Sequence, residues 1–466
     1  MWGCVAPLGP GYTVRQQEIR VSFDASQTPT IGVDAEFQVM NSGTRPLAEM
    51  MVRMPGKSVH AENLRAKWDG TELPMERSES NSRDTSLKLP DSWKIGARHK
   101  LAITYEIHVD MATSGVLQFT KDAFFLPQES WNPEVLPPQG FMAEGGTPPD
   151  AWNLVVSVPR DFRVHLSGQG FKRSGKGNQF VYRARQRPTD RYPFVVAGRY
   201  REATIEAGNH KVYLWTLADA GQQMTHSGSD SLVRALDAYD SVFGIRGKQP
   251  QTLWIAQCPQ LESCFTGRTA HYTRLLDLPT DTSIAEMISL DTLLIGKNAD
   301  ASRITVAAAP YLAASWLGYG RNGGFFDQQP PLSALPIFAA AVGREAVEGK
   351  GVREQMIGSA LKEIPEANSD SSTETADAVR AKSFLFFYAL REKYGEAVFR
   401  RAIQHMLSAR QGRGFNLNDL IAAFEEETHE NVAQFVRQWM KHPGVPEDFR
   451  ASHESTTATD SKETER

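Results

Sequence analysis

The sequence lacks a strong excess of either charge and any long apolar run. Its 466 residues include 51 Lys and Arg and 55 Asp and Glu, a formal net charge of −4 at pH 7. No basic stripe suggests a nucleic-acid partner, and no acidic block suggests a solvating tail. The longest apolar stretch, at about residues 304–317, is too short to span a bilayer and contains Pro310. The length and the 41% of hydrophobic residues predict roughly two to three globular domains.

Cysteine is scarce, with only Cys4, Cys258 and Cys264 in the chain. No apolar export segment precedes Cys4, yet Gly3 and Cys4, followed by a Pro- and Gly-rich linker, resemble the cleavage point of a bacterial lipoprotein. Trp2 departs from the small residue usual there, and the alternative is an accidental cysteine near a frayed terminus. A lipoprotein would be exported to the periplasm or cell surface, where Cys258 and Cys264 can form a disulfide. The alternative location is the cytoplasm.

The first large region, residues 15–205, has the pattern of a β domain, and residues 1–14 before it are a candidate anchor and linker. Apolar and polar residues alternate at 19–23, 35–39 and 101–105, and turn clusters such as Asn41-Ser42-Gly43 separate such runs. The regular spacing predicts an antiparallel sheet domain of the sandwich type. The string GFKRSGK at 170–176 nearly matches a phosphate-binding loop, but it lies between two β runs, which favours a hairpin turn.

The second region, residues 206–450, changes from mixed to helical structure at about 300. Residues 206–299 predict a small mixed sheet, with a helix over 231–243 that ends at Gly244 and strands over 252–256 and 272–278. In the helical half, 300–450, apolar residues at 417, 420, 421 and 424 follow helical spacing, with Asn416 as a candidate cap. The polar residues 451–466 predict a disordered tail. The predicted fold class is therefore α+β.

Local strings carry a resemblance to a known family. They are FFLP at 124–127, WNP at 131–133, GTPPDAW at 146–152, FVVAGRY at 194–200 and WMKHPGVP at 439–446. In this order and spacing, over about residues 12–450, the chain resembles the membrane alanyl aminopeptidase family of gluzincin zinc metallopeptidases. The resemblance implies an all-β saddle or sandwich domain, followed by a thermolysin-like domain with a small mixed sheet and a helical half.

The positions that match the family's zinc motif hold other residues. The family binds zinc through two His of an H-E-x-x-H helix, whose Glu activates the metal-bound water. The matching helix is AAAPYLAASWLG at 307–318, where the Trp-x-Gly ending fixes the register. Pro310 and Ala314 then stand at the two His positions, and Tyr311 stands at the Glu. No two of the 11 His in the whole sequence are four residues apart.

The other family positions are also changed. The third zinc ligand, a Glu, should lie near Ser333, and no Glu occurs from there until Glu345. The family's Tyr-x-Lys-Gly string, whose Tyr stabilises the oxyanion, is matched by residues 380–383, where Arg380 replaces the Tyr. In place of the Gly-x-Met-Glu-Asn loop stands ESCFTG at 262–267, with Glu262 as the nearby carboxylate.

These substitutions predict a chain that has lost zinc and peptidase activity and acts as a ligand-binding or interaction scaffold in the cell envelope. No cofactor is predicted, zinc being expected only if the motif assignment is wrong. The ligand would be a peptide or a hydrophobic molecule, with Arg380 meeting a carboxylate; an envelope protein is the other expected partner, and any membrane contact would come through a lipid anchor. The candidate cleft residues are Tyr311, Trp316, Leu335, Phe338, Arg380 and Glu262.

The sequence leaves one alternative class open, a metallopeptidase or other hydrolase with a relocated active site. Its only candidate seat is the loop that contains Cys258, Cys264 and His271, as a three-ligand metal site or as a Cys264–His271 nucleophile pair. The competing interpretations of the same residues are a Cys258–Cys264 disulfide and two free thiols.

Overall fold

The structure, a computed structural model, places the chain in two compact units. The division lies between Arg201 and Glu202, except that a short stretch beginning at Cys258 groups with the first unit. The described residues are 11–26, 28–55, 61–75, 84–108, 118–127, 131–136, 149–186, 193–217, 226–244, 251–259, 285–289, 291–296, 317, 330–349, 351–364, 375–409, 415–441 and 444–454.

The first unit consists of β-strands. They are β1 Thr13–Asp24, β2 Thr30–Met40, β3 Leu47–Arg53, β4 Ala61–Trp68, β5 Thr71–Leu73, β6 Asp84–Trp93, β7 Arg98–His108, β8 Gln118–Phe119, β9 Ala123–Leu126, β10 Glu134–Val135, β11 Trp152–Pro159, β12 Arg163–Leu166, β13 Gln169–Lys176, β14 Gln179–Arg185 and β15 Val195–Gly198. An eight-stranded sheet has the order β13-β14-β11-β1-β2-β7-β4-β5, beside sheets ordered β10-β3-β6 and β12-β15-β9-β8.

The core of this unit follows from the alternation in the sequence. In β1, Ile19, Val21 and Phe23 are buried while the residues between them face outward, as expected for a sheet with one covered face. Each such side chain contributes about 1.5–3 kcal/mol when fully buried. β1 pairs antiparallel with β2 and parallel with β11. The expected sheet domain is therefore observed, with one parallel strand pair inside it.

The WNP string is held by buried hydrogen bonds. The Trp131 indole donates to the carbonyl of Pro127, and the Tyr105 hydroxyl donates to the carbonyl of Trp131. The Gln17 amide donates to Asn132 Oδ1 over 3.1 Å. Because a buried polar group is costly when unpaired, these bonds fix the segment against the sheet.

A five-stranded mixed sheet lies in the second unit, except for the first two residues of its first strand. Its strands are β16 Tyr200–Ala207, β17 His210–Leu217, β18 Gln251–Gln257, β19 Ala285–Ser289 and β20 Thr292–Ile295, in the order β16-β17-β18-β20-β19. β18 is parallel to both β17 and β20, and β19 is antiparallel to β20. The predicted strand over 252–256 lies in β18; the one predicted over 272–278 lies outside the described residues.

The described helices all belong to this second unit. Seven of them are α1 His226–Phe243, α2 Leu335–Glu348, α3 Gly351–Lys362, α4 Ala376–Tyr394, α5 Glu396–Ala409, α6 Leu417–Thr428 and α7 Val432–Lys441, and a further helix covers residues 447–454. α6 begins at Asn416 with a capping box, because the Asn416 side chain accepts from the Asp419 amide and the Asp419 side chain accepts from Asn416. None of the described helices is long and apolar enough to cross a membrane.

The prediction that a disordered tail starts at residue 451 is wrong for its first four residues. Residues 447–454 form a helix, so 451–454 are helical. His453 contacts Glu354 on α3 through Nδ1 at 2.9 Å and Glu392 on α4 through Nε2 at 3.1 Å, and its ring packs on Phe449. These contacts order a polar segment that its composition alone does not. Residues 455–466 lie outside the described residues.

The sheet and helices together confirm the predicted α+β class. α1 includes the predicted helix over 231–243, and Gly244 after it has φ +87°, a conformation that favours glycine. α4 is buried around most of its circumference over 384–390, so it is the central helix, as its uniformly apolar sequence predicts.

Candidate functional site

The string that matches the family's oxyanion position lies in the first turns of α4. The Thr375 side chain caps this helix by accepting from the amide of Ala378. Arg380 is 31% exposed, and its Nη1 donates to Asp377 Oδ1 at 2.6 Å, one turn earlier on the same helix. The guanidinium has five N–H donors, so it retains capacity for an anionic ligand beside its own carboxylate.

The last two residues of that string, Lys382 and Ser383, are buried in the core. Lys382 is only 2% exposed, and Ser383 donates from its hydroxyl to the carbonyl of Val379 at 2.6 Å. Trp439, from the WMKHPGVP string, donates from its indole to the carbonyl of Lys382 at 3.3 Å. The two strings therefore meet, with α7 packed on the backbone of α4. A buried lysine here is a feature that sequence reasoning did not predict.

The position expected for the third zinc ligand is a one-turn 3₁₀ helix, Leu332–Ala334, directly before α2. Ser333 is its middle residue and is half-buried. A neutral serine hydroxyl is not among the imidazole, thiolate and carboxylate donors that make protein zinc sites.

Glu345, the next carboxylate along the chain, lies on α2 and is already fully engaged. Its Oε1 accepts from the Tyr388 hydroxyl at 2.7 Å and from Arg391 Nη1 at 3.2 Å. Its Oε2 accepts from the same Arg391 nitrogen at 3.1 Å and from Arg353 Nη2 at 2.9 Å. Glu345 and Arg391 are 10% and 9% exposed. The Glu345 network, defined by these residues, joins α2, α3 and α4.

Burial and the charge of Glu345 shift the pKa values of Tyr388 and Arg353, two of the residues that donate to it. Burial raises the pKa of the Tyr388 hydroxyl well above its usual range, and the charge of Glu345 raises it further. Burial lowers the pKa of Arg353, but Glu345 outweighs this and raises it. Tyr388 is therefore a neutral hydrogen-bond donor at any physiological pH, and Glu345 accepts from two fixed cations. This arrangement stabilises a helix junction and leaves no oxygen free to activate water.

Two of the predicted cleft residues, Leu335 and Phe338, do not line an open cleft. Leu335 and Phe338 are completely buried, and both belong to the hydrophobic core of the second unit. The Phe338 ring packs against the rings of Phe387, Tyr388 and Phe399 at centroid distances of 5.3–5.4 Å. The prediction that they line an open cleft is wrong, because α2 turns this face toward α4 and α5.

Cys258 follows β18 directly, is fully buried and is disulfide-bonded. A sulfur in a disulfide is neither a thiolate nucleophile nor a thiolate metal ligand. Its expected partner, Cys264, lies outside the described residues, so the Cys258–Cys264 pairing stays a prediction.

Several other predicted positions also lie outside the described residues, and their predictions stand as made. They are Cys4, Glu262, His271, Pro310, Tyr311, Ala314 and Trp316. Leu317, the residue after Trp316, is helical and buried.

The residues that are described do not fit the zinc ion of gluzincin peptidases. In those parts of the chain, no three His, Cys, Asp or Glu side chains are grouped so that they can hold a metal. Ser333 offers a neutral hydroxyl, and both oxygens of Glu345 already accept hydrogen bonds from three residues. Arg380 is positively charged, at the position that the sequence resemblance matches to the family's oxyanion tyrosine. These three described positions therefore do not fit a divalent cation, and no step through zinc is assigned to them.

Comparisons with known proteins identify the fold. No family model matches the sequence, and no curated protein matches it. The crystal structure of an M1 zinc metallopeptidase from Deinococcus radiodurans is similar, with a TM-score of 0.51 at 15% identity over 94% of this chain and 96% of that one. A mutant of that peptidase bound to a Tyr-Ser-Ala substrate has a TM-score of 0.52 at 16% identity, with the same coverage. The chain therefore has the fold of the M1 gluzincin zinc metallopeptidases.

Proposed function

We propose that this chain is a ligand-binding or interaction scaffold of the cell envelope, with an aminopeptidase-like fold but without zinc-dependent peptidase activity. The first support is the sequence, which has Pro310, Tyr311 and Ala314 where the fold's zinc motif is expected and no two His four residues apart. Neither proline nor alanine has a side-chain donor, and a neutral tyrosine is a poor replacement for a carboxylate base.

The observation that supports the proposal most strongly is that both carboxylate oxygens of Glu345 already accept hydrogen bonds. This residue is the nearest carboxylate after the third-ligand position, and two arginines and a tyrosine already occupy both of its oxygens. Withdrawing it to bind a metal would break its buried ion pair with Arg391 and would leave the partly exposed Arg353 without an ion-pair partner among the described residues. Breaking a buried ion pair by removing one partner costs about 3–5 kcal/mol. The local energetics therefore oppose a metal site built around this residue.

The ligand chemistry proposed for the scaffold rests on Arg380. Its guanidinium is partly exposed at the start of α4, the position from which the family's tyrosine would contact a substrate carbonyl. An arginine there suits a carboxylate, which it can bind through two parallel hydrogen bonds. A peptide or a hydrophobic acid is the ligand class we infer, with an envelope protein as the alternative partner.

The envelope location is supported by the disulfide at Cys258. Disulfides persist in oxidising compartments and are rare in the cytosol. The same bond counts against a relocated hydrolase site in the loop containing Cys258 and His271, because it removes one of that site's three donors. Lipidation at Cys4 remains part of the proposal, and intact mass of the mature protein from the envelope tests it.

Calorimetry against a pool of short peptides tests ligand binding. We expect saturable binding by the wild type and at least a tenfold weaker affinity for Arg380→Ala, the size of a charged hydrogen-bonded contact of about 1.5–3 kcal/mol. The matched control is Arg401→Ala, which removes an exposed arginine that is paired with Glu427 on a neighbouring helix. Equal affinities for all three proteins would show that Arg380 does not contact the ligand. Turnover of amino-acid anilides by the wild type would refute the loss of peptidase activity.

A further inference from the structure

The first unit has an unusual edge in its eight-stranded sheet, formed by the hairpin of β13 and β14. β13 is the terminal strand, and in the described part of the chain no strand pairs with its outer side. Residues 169–175 are all exposed, so β13 is uncovered on both faces. An open edge strand is a surface on which a partner can dock.

This hairpin is basic, although the net charge of the whole chain is negative. Residues 169–185, which form the hairpin, contain five Lys and Arg and no Asp or Glu. Lys172 on β13 directly opposes Arg183 on β14, so two like charges face each other across the ladder. Such a pair destabilises a sheet, and an anion bound between the two side chains would relieve the repulsion.

No carboxylate in the described part of the chain is paired with the positive charges of this edge. Among the described residues, Lys172, Arg173, Arg183 and Arg185 form no ion pair with a carboxylate. Arg183 donates instead to the Ser174 hydroxyl at 3.2 Å, and the Arg173 guanidinium lies 4.7 Å from the Phe180 ring centroid. The edge therefore presents a concentrated positive field to solvent.

An aromatic side chain projects from the same edge. The register shifts between Gln169 and Lys172, and Gly170 within this bulge has φ +67°. Phe171 beside it is 56% exposed, and Ile95 is the only other large apolar side chain so exposed among the described residues. Lysine on an edge strand also discourages pairing with other sheets, but an exposed phenylalanine on the same strand works against that purpose.

We propose that the basic edge, meaning Phe171, Lys172, Arg173, Arg183 and Arg185, docks this protein on an anionic lipid surface. The basic side chains would contact lipid phosphates, and Phe171 would enter the boundary between headgroups and acyl chains. This combination of an exposed aromatic ring with unneutralised cations distinguishes a lipid surface from a soluble polyanion, which needs no apolar contact. The proposal does not depend on the loss of peptidase activity.

Vesicle co-sedimentation of the full chain tests this surface. All proteins carry Cys4→Ser, so that no acyl anchor contributes, and the vesicles are either pure phosphatidylcholine or a mixture with phosphatidylglycerol. We expect binding to the mixed vesicles alone, reduced by raising the salt concentration, because each basic residue near an anionic surface is worth about fivefold in partition coefficient. Lys172→Gln with Arg183→Gln should lower that coefficient about 30-fold.

The matched control is Arg437→Gln with Lys441→Gln, which removes the same charge from exposed positions of α7 in the second unit. It should change the partition coefficient by less than about twofold. Phe171→Ser should weaken binding while the salt dependence remains. Circular dichroism of each variant verifies folding, and the Lys172/Arg183 variant should be at least as stable as the parent because it removes a repulsive pair.

Three outcomes would overturn the proposal. The first is equal binding to pure phosphatidylcholine, and the second is an unchanged partition coefficient for the Lys172/Arg183 variant. The third is binding to heparin without binding to anionic vesicles, which would assign the basic edge to a soluble polyanion.

Discussion

Replacing Glu345 by alanine should destabilise the helical half of the second unit strongly. The substitution removes the acceptor for Tyr388, Arg353 and Arg391 together. Arg391 keeps a second partner, since its Nε donates to Glu396 at 2.6 Å, but Arg353 forms no other ion pair among the described residues. Breaking a buried ion pair by removing one partner costs about 3–5 kcal/mol. We therefore expect Glu345→Ala to lower the free energy of unfolding by an amount in that range.

The assay is equilibrium urea unfolding followed by circular dichroism at 222 nm, because the described helices all lie in the second unit. The unfolding free energies are compared at a shared slope with urea concentration. The matched control is Glu427→Ala, which breaks an ion pair with the exposed Arg401 and should cost about 0.2–1 kcal/mol. A loss for Glu345→Ala no larger than that of the control would refute the structural role assigned to Glu345.

Three further predictions follow from particular contacts. Gly343→Ala on α2 would place a Cβ in steric overlap with the Tyr239 hydroxyl on α1, so it should lower the free energy of unfolding in urea by about 1–3 kcal/mol. Gly351→Ala, whose Cβ would meet no neighbouring side chain within 4 Å, should be close to neutral, and equal effects of the two changes would contradict this helix contact. The hydrogen bond to Glu392 raises the pKa of His453, burial opposes the rise, and Glu354 adds to it. The stability that His453 contributes should be complete below its ordinary pKa of about 6.5 and lost as the pH rises through the raised value. The difference between wild type and His453→Gln should therefore shrink from pH 6 to pH 9, and a constant difference would exclude a charged His453. Finally, peptide mapping without reductant should find Cys258 joined to Cys264, and Cys264→Ser should make Cys258 alkylable after unfolding; a bond from Cys258 to Cys4 would contradict the pairing.

Local patterns in the sequence were enough to predict much of the fold. The helical spacing from residue 417 to 424 and the Asn416 cap predict α6, and the structure adds the reciprocal bond from Asp419. Alternation in β1 predicts which of its side chains are buried. These features depend on residues a few positions apart, where propensity and periodicity act directly.

The parts that failed depend on residues far apart in the sequence. Glu345 and Arg391 are 46 residues apart in the sequence, and no local pattern predicts their contact. The family resemblance predicts Phe338 near the zinc position and therefore in a cleft, whereas the packing of α2 buries it. The helix at 447–454 has a polar composition and is ordered by the contacts of His453 with two other helices. The net charge of the chain does not predict the basic edge, because a charge averaged over all residues conceals a local excess.

The metal content of the purified protein tests the central claim most directly. The chain should be incubated with excess zinc, freed of unbound metal on a desalting column and measured by inductively coupled plasma mass spectrometry, beside an active M1 peptidase treated in the same way. We expect the active peptidase to retain about one zinc per chain, as a three-ligand site does, and this protein to retain only a small fraction of that amount. One zinc per chain, retained by the wild type together with aminopeptidase activity, would contradict the account.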